Sequence, residues 1–152
     1  QPAPGRGTGP RRETATIRQG LEQLPDTHDA VRQSLIEVGI GMVRFLLEPH
    51  VLAVERVMSQ QGEQYPKLLQ AFFEAGPWAI SQWLREKLEG LASAGHLTLP
   101  APALAADQLC SMWQGMLTKE VRMGVRPPPT DDELKHQITS AVDVFLMAYG
   151  RR

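Results

Sequence analysis

The sequence has few of the residues that mark secreted, glycosylated or membrane proteins. It contains one cysteine, Cys110, and no asparagine, so neither an internal disulfide nor an N-glycosylation acceptor can form. No apolar run approaches the ~20 residues that span a bilayer, and no signal peptide is visible. We interpret Cys110 as a small buried side chain rather than a redox sensor. These absences favour a reducing compartment and predict a cytoplasmic protein that makes no contact with membranes.

An excess of charge of either sign is also missing. The 16 basic and 17 acidic residues leave a formal net charge of −1, so no global basic field draws the chain to nucleic acid. The 152 residues, of which 42% are hydrophobic and 22% charged, are typical of one globular domain.

Known catalytic and metal-binding patterns are absent as well. The four histidines form no pair at i, i+4, and the chain has no H-E-x-x-H, C-x-x-C, Walker A or G-x-S-x-G sequence. Glu133 and His136 make a single E-x-x-H, whereas a di-iron bundle needs two such motifs. We therefore predict no catalytic residue, no metal and no cofactor.

The spacing of apolar residues is helical almost throughout, which predicts an all-α fold. Residues 1–12, rich in Pro and Gly and carrying three arginines, are interpreted as a flexible basic arm, and residues 13–152 as one helical domain. Proline, glycine and capping residues divide this domain. Thr130 with Glu133 reads as a capping box, and Gly39-Ile-Gly41, inside a helical pattern, as a place of close helix approach rather than of phosphate binding. After a short segment from Glu13 to Leu24, the predicted helices run from Asp26 or Thr27 to about Leu47, from Val51 to Gln61, from Tyr65 to Gly76, from Pro77 to about Ala94, from about Ala103 to Met123, and from Thr130 to Tyr149.

The last two predicted helices carry more apolar surface than one core requires. In a regular helix over residues 103–123, Met116 falls in the same sector as Leu109 and Trp113, and the apolar arc covers about half the circumference. The surplus favours a partner subunit and an intermolecular four-helix bundle; the alternative is complete burial within one domain. The predicted dimer-interface residues are Leu109, Met112, Leu117, Val121, Leu134, Ile138, Val142, Phe145 and Leu146.

Glu120 also falls in this apolar arc. A buried carboxylate must be paired or neutral. It could bind a ligand amine, pair with Arg122 or Arg126, or lie at the rim of the interface as an ordinary surface charge, which is the favoured interpretation.

The central part of the sequence resembles a known family. Residues 65–95 contain, in order, Tyr65-Pro66, the pair Phe72-Phe73, the run Glu74-Ala75-Gly76-Pro77, and Ala92 to Gly95. This pattern resembles the C-terminal effector-binding and dimerisation domain of TetR/AcrR-family transcriptional regulators, in particular the AefR-like branch. The resemblance extends over about residues 26–149, with Gly115 at a position that is commonly small in the family.

The resemblance implies a function and an architecture. It implies an Ω-shaped homodimer held by a four-helix bundle, and a pocket for a small apolar or amphipathic effector. Operator DNA would be bound only through a helix-turn-helix domain, which is not recognisable in residues 1–25. The candidate pocket residues, each of which could instead be plain core, are Met42, Phe45, Val54, Met58, Leu69, Phe72, Phe73, Trp83, Trp113 and Met116.

Three hypotheses about function follow. The first is the ligand-responsive, homodimeric part of a bacterial transcriptional regulator, most simply a repressor. The second is a helical dimeric interaction module without an effector. The third is an enzyme of the helical-bundle class, which would require convergent titratable groups or a metal site.

Overall fold

The computed structural model describes residues 26–151, and these residues form helices joined by short connections. The helices are α1 (His28–Leu46), α2 (Pro49–Gln61), α3 (Pro66–Ala75), α4 (Pro77–Ser93), α5 (Pro102–Arg122) and α6 (Asp131–Tyr149). Within this range the only extended pairing is a single bridge between Leu97 and Gly150. The all-α prediction is confirmed. The predicted arm at residues 1–12 and the segment from Glu13 to Leu24 lie outside the described residues.

The helix ends follow from local chemistry. Pro49, Pro66, Pro77 and Pro102 begin four of the helices, because a proline at the first helical position removes an N–H that would have no partner there. Thr27 caps α1 by accepting a hydrogen bond from the backbone N–H of Ala30, at 3.1 Å.

The predicted capping box of α6 is also confirmed. The backbone N–H of Glu133 donates to the Thr130 hydroxyl at 3.2 Å, and the backbone N–H of Thr130 donates to the Glu133 carboxylate at 3.2 Å. Gly95 follows α4 with a φ of 90°, the left-handed conformation that commonly ends a helix.

The core lies between α1, α4, α5 and α6. Helix α1 packs on α5 and α6, α5 packs on α4 and α6, and α3 packs on α4. The largest fully buried side chains are Trp113, Phe145, Leu35, Leu84, Leu88, Leu91, Leu109 and Ile138. Helices α2 and α3 contribute no buried residue to this core. No helix in the described range is both long and apolar enough to cross a membrane.

Helices α1 and α5 approach closely at Gly39. A Cβ atom added to Gly39 would lie 2.6 Å from the indole nitrogen of Trp113, closer than atoms of two side chains can pack. Only a glycine therefore lets the buried Trp113 ring lie against α1, which confirms the predicted role of Gly39.

Helix α5 differs from the regular helix that the sequence pattern predicts. Gly115 has φ 57° and ψ −166°, which interrupts the helix. Met116 is 65% exposed instead of lying beside the fully buried Trp113, because the break rotates the following residues. The prediction that Met116 shares a sector with Leu109 and Trp113 is wrong.

Candidate functional site

Six of the ten predicted pocket residues are only partly buried side chains of α1, α2, α3 and α4. Phe45 and Trp83 pack against the core from α1 and α4. Met58, Leu69, Phe72 and Phe73, on α2 and α3, are partly buried and are not among the described side chains packed on the core. We call these six residues the apolar wall: Phe45, Met58, Leu69, Phe72, Phe73 and Trp83.

Close contacts fix the part of the apolar wall that α3 contributes. Gly62, at the end of α2, is buried, and a Cβ atom there would lie 2.8 Å from a methyl carbon of Leu69. The ring centroids of Phe72 and Phe73 are 5.9 Å apart with the rings nearly perpendicular. Those of Phe73 and Trp78 are 5.4 Å apart, so the aromatic cluster bridges α3 and α4.

Trp78 belongs to this aromatic cluster, although the sequence pattern did not indicate it. It follows Pro77 at the start of α4 and is more than half exposed, although its ring contacts Phe73. Its proximity to the Phe72-Phe73 pair could have been inferred from the tight Gly76-Pro77 turn, which brings the start of α4 next to the end of α3.

The remaining candidate pocket residues are placed elsewhere. Met42 and Trp113 are buried in the core. Val54 is an exposed residue of α2, and Met116 is exposed beyond the break in α5. The break in α5 therefore separates Met116 from the buried Trp113, and its role as a pocket residue stays a prediction.

The indole nitrogen of Trp113 is buried and has no hydrogen-bond partner in the described part of the chain. An N–H group buried in this way lacks the partner that buried polar groups normally have. It lies over Gly39, where the ring packs directly on the backbone of α1.

The arginines that follow Glu120 in the sequence form ion pairs rather than a catalytic constellation. Arg122 lies 3.9 Å from Glu55 of α2, and Arg126 lies 2.6 Å from Glu133. Arg122 and Arg126, the two arginines considered as partners of Glu120, therefore form ion pairs with other residues. Glu120 is partly buried. The bond from Arg126, followed by the N–H of Thr130, lowers the pKa of Glu133. Among residues 26–151, no cluster of three or more His, Cys, Asp or Glu side chains could hold a metal ion.

Cys110 lies on α5 and is partly buried. Burial, followed by the negative charge of Asp107, raises the pKa of its thiol to about 12. Because the thiolate is the reactive form, this environment agrees with the interpretation of Cys110 as a packing residue.

The predicted dimer-interface residues divide into two groups. Leu109, Leu134, Ile138, Val142 and Phe145 are buried inside one chain, and Val121 and Leu146 are nearly so. These side chains have almost no surface left for a partner, which corrects that part of the prediction. Met112 and Leu117 retain partial exposure.

Other apolar side chains of the same two helices face solvent. A helical projection places Val144 and Met147 outside the main apolar stripe of α6, but it cannot tell whether the core or a partner covers a given apolar side chain. We call them the outer apolar residues: Leu104 and Met116 on α5, and Val144 and Met147 on α6.

A comparison with known families gives one match. Residues 33–151 match the sequence profile described as the AefR-like transcriptional repressor, C-terminal domain. No protein of curated function matches the sequence significantly.

Two solved structures share the fold. One is a protein from Mesorhizobium loti described as a TetR-family transcriptional regulator, with a TM-score of 0.79, 18% identity, and coverage of 92% of this chain and 67% of the other. The second is described as the flavonoid-responsive regulator FrrA, with a TM-score of 0.74, 23% identity, and coverage of 93% of this chain and 73% of the other.

Proposed function

Because the chain belongs to the family of AefR-like C-terminal domains of TetR-type transcriptional repressors, we propose that it senses a small effector at the apolar wall and forms a homodimer through α5 and α6. Family membership makes it a non-enzymatic, ligand-responsive domain of a transcriptional regulator. The effector site and the dimer surface are argued below from the described residues.

The main support for the effector site is the loose packing of α2 and α3. These helices hold aromatic and Met side chains that are partly buried, yet neither helix has a single fully buried residue. Large flexible apolar side chains that are not tightly packed suit an adaptable binding site. The proposed ligand is a small apolar or amphipathic molecule bound at the apolar wall.

The outer apolar residues support the dimer. Met147 is 78% exposed, and Val144, one turn earlier on the same face of α6, is also exposed. Adjacent helices that both expose large apolar side chains mark an interaction surface, and a second copy would bury the same residues from both subunits in a two-fold bundle. Operator DNA would be contacted by a helix-turn-helix domain of the whole protein. The effector would shift the dimer between two arrangements that bind the effector with unequal affinity.

Ligand binding can be tested with the tryptophans as reporters. FrrA is described as flavonoid-responsive, so the first probe panel contains flavonoids together with short-chain fatty acids as an apolar comparison. We expect one of these probes to quench Trp83 fluorescence with saturation, and Phe73→Ala to weaken its binding about tenfold through lost contact area.

The matched control is Val57→Ala, which removes an exposed apolar side chain from α2 outside the apolar wall and should leave binding unchanged. If Val57→Ala weakens binding as much as Phe73→Ala does, the apolar wall is not the site. If native mass spectrometry detects no bound molecule and no probe binds, the dimeric interaction module becomes the better account.

The dimer is tested by the mass in solution. We expect the wild-type chain to show twice its monomer mass of 16.9 kDa by light scattering. Met147→Asp should yield a monomer, because a charge at a packed apolar interface is left unpaired and desolvated.

The control for this test is Leu68→Asp, an equally severe change at an exposed apolar position on α3. It should remain dimeric. A wild-type monomer would refute the proposed homodimer, and dissociation by Leu68→Asp but not by Met147→Asp would place the interface elsewhere.

A further inference from the structure

The break in α5 occurs at a residue that no other side chain could easily replace. With φ 57° and ψ −166°, Gly115 adopts a conformation that only glycine reaches at low energy. A Cβ atom there would also lie 2.5 Å from the side-chain nitrogen of Gln137 on α6. The backbone angle therefore requires glycine, and a side chain at position 115 would also have to displace the end of the Gln137 side chain.

The break shifts the burial pattern of α5 by one residue. Before it, the buried residues Ala105, Leu109 and Trp113 follow one another at intervals of four. A continuous helix would extend this face to residues 116, 117 and 120. Instead, Thr118 and Val121 are buried, as if one residue had been inserted at Gly115.

Gln137 holds the broken form through a hydrogen bond. Its side-chain nitrogen donates to the carbonyl oxygen of Met112 at 2.9 Å. In a continuous helix, that carbonyl would accept from the backbone N–H of Met116, four residues later. The carboxamide of Gln137 therefore takes the place of a helical hydrogen bond, which satisfies a backbone group that the break would leave without its usual partner.

A second bond lies on the far side of the break. The Thr118 hydroxyl donates to the carbonyl oxygen of Gly115 at 3.3 Å. Thr118 is buried in the shifted register, whereas Gln137, on the neighbouring helix α6, occupies the space that a side chain at position 115 would need.

We infer that Gly115 and Gln137 form a register joint, which sets the side chains that the second half of α5 presents to a partner subunit. In the broken register, Met116 is exposed, as are Val144 and Met147 of α6. In the continuous register, Met116 would turn towards the Trp113 side, and Thr118 would leave the core. As far as it concerns the dimer, this inference rests on the proposed function.

The segment of α5 beyond the joint also approaches α2, the helix that carries Met58 of the apolar wall. The half of α5 beyond Gly115 carries Arg122, which lies 3.9 Å from Glu55 of α2. The same half carries Met116 on its exposed side. A change in the register of this short segment would alter both its contact with α2 and the surface offered to the second subunit, which makes Gln137 a positioning residue for the dimer.

The first test reads the backbone directly. We would record backbone chemical shifts of the alpha carbons over residues 113–117 in the wild-type chain, in Gln137→Ala, and in the double variant Gly115→Ala/Gln137→Ala. The double variant removes the Gln137–Met112 hydrogen bond, the short contact at position 115 and the glycine together. We therefore expect alpha-carbon shifts typical of an uninterrupted helix. Gln137→Ala alone should move the Gly115 shift towards the helical value, because the carbonyl oxygen of Met112 would then be free to accept a hydrogen bond from the backbone N–H of Met116.

The matched control is Gln114→Ala. Gln114 also donates from its side chain to a carbonyl of α5, that of Cys110 at 3.3 Å, but it takes no part in the joint. Its removal should leave the shifts of the break unchanged. If Gln137→Ala also leaves them unchanged, the register is imposed by other contacts and the inference is overturned; this single variant decides the matter even if the double variant does not fold.

The second test reads the consequence for the dimer. We expect the double variant to raise the dimer dissociation constant at least about tenfold, because Met116 leaves the outer apolar residues, while Gln114→Ala keeps the wild-type value. A helical shift at Gly115 with an unchanged dissociation constant would refute the link to the partner surface. A monomeric wild-type chain that still shows the Gln137-dependent break would refute the proposed dimer and leave the joint itself intact.

Discussion

Trp113 and Gly39 show how one close contact shapes the local chemistry. The indole ring is fully buried, and its nitrogen finds no partner in the described part of the chain. Burial of an N–H group without a hydrogen bond costs about 1–3 kcal/mol. The ring nevertheless stays in place because Gly39 leaves room for it against the backbone of α1.

At the same scale, Cys110 should react slowly with alkylating reagents. Burial and the charge of Asp107 raise its thiol pKa from 9.0 to about 12, which lowers the thiolate fraction at pH 8 by about a thousandfold. We expect the reaction rate with iodoacetamide at pH 8 to be far lower in the folded chain than in urea, and to rise as the pH approaches the raised pKa.

The reference for this measurement is a cysteine at an exposed position of α4, Ser81→Cys in a Cys110→Ser background. It should react at similar rates in the folded and unfolded chains. Equal rates for Cys110 in the folded and unfolded chains would contradict the buried, high-pKa environment.

Single residues also show what the sequence could and could not predict. Thr130 with Glu133 and the prolines at helix starts act through their immediate neighbours, so their roles were predictable. The outward turn of Met116 depends on Gln137, 21 positions away in the sequence, and no local pattern records that contact.

At the scale of the helices, the α1–α5 contact gives a second prediction. Gly39→Ala would place a methyl group 2.6 to 2.8 Å from three atoms of the Trp113 ring. The ring is enclosed and cannot move freely, so we expect a loss of about 1–3 kcal/mol in the free energy of unfolding. The gain in helix propensity, below about 1 kcal/mol, offsets only part of it. Urea denaturation measures the difference.

A double-mutant cycle separates the clash from other effects of the substitution. In a Trp113→Leu background the ring is absent, so Gly39→Ala should cost clearly less than it does in the wild-type chain. If the cost is the same in both backgrounds, the contact with Trp113 is not its cause.

The helices also differ in how far their faces could be predicted. Helices α1 and α4 bury the stripes that a regular period indicates, because nothing interrupts them. Helix α5 was projected as one regular cylinder, and this projection fails after Gly115. The interface on α6 was wrong for another reason: its main stripe, including Ile138 and Val142, fills the core of its own chain.

At the scale of the whole molecule, an ion pair joins the first described helix to the last. The Nε atom of Arg32 donates to Asp143 at 2.7 Å and the Nη2 atom at 3.1 Å. This paired geometry, mainly through its hydrogen bonds, lowers the pKa of Asp143 and raises that of Arg32. The two side chains are 38% and 47% exposed, so solvent screens much of the interaction.

The third prediction concerns the acid dependence of stability. Because the folded pKa of Asp143 is depressed, the stabilisation is complete above its ordinary value of 3.8 and is lost as the pH falls through the lowered folded pKa. We expect Asp143→Asn to reduce the free energy of unfolding by less than about 1 kcal/mol at pH 7, and the difference to vanish in strong acid.

Arg44→Gln is the control for the ion pair. Arg44 also joins α1 to α6, through one contact with Asp131 at 2.9 Å, but both side chains are mostly exposed. Its substitution should change stability less than Asp143→Asn does. A difference for Asp143→Asn that is as large in strong acid as at neutral pH would show that the charge interaction is not its source.

The absence of buried residues in α2 and α3 has a consequence for how such a domain can evolve. Substitutions at exposed or loosely packed positions usually change stability by less than about 0.5 kcal/mol, whereas those in α1, α5 and α6 disturb the core. Mutations in the part of the apolar wall that lies on α2 and α3 can therefore accumulate without unfolding the domain. A scaffold built in this way can acquire a new chemical specificity while its assembly and its link to transcription are inherited unchanged.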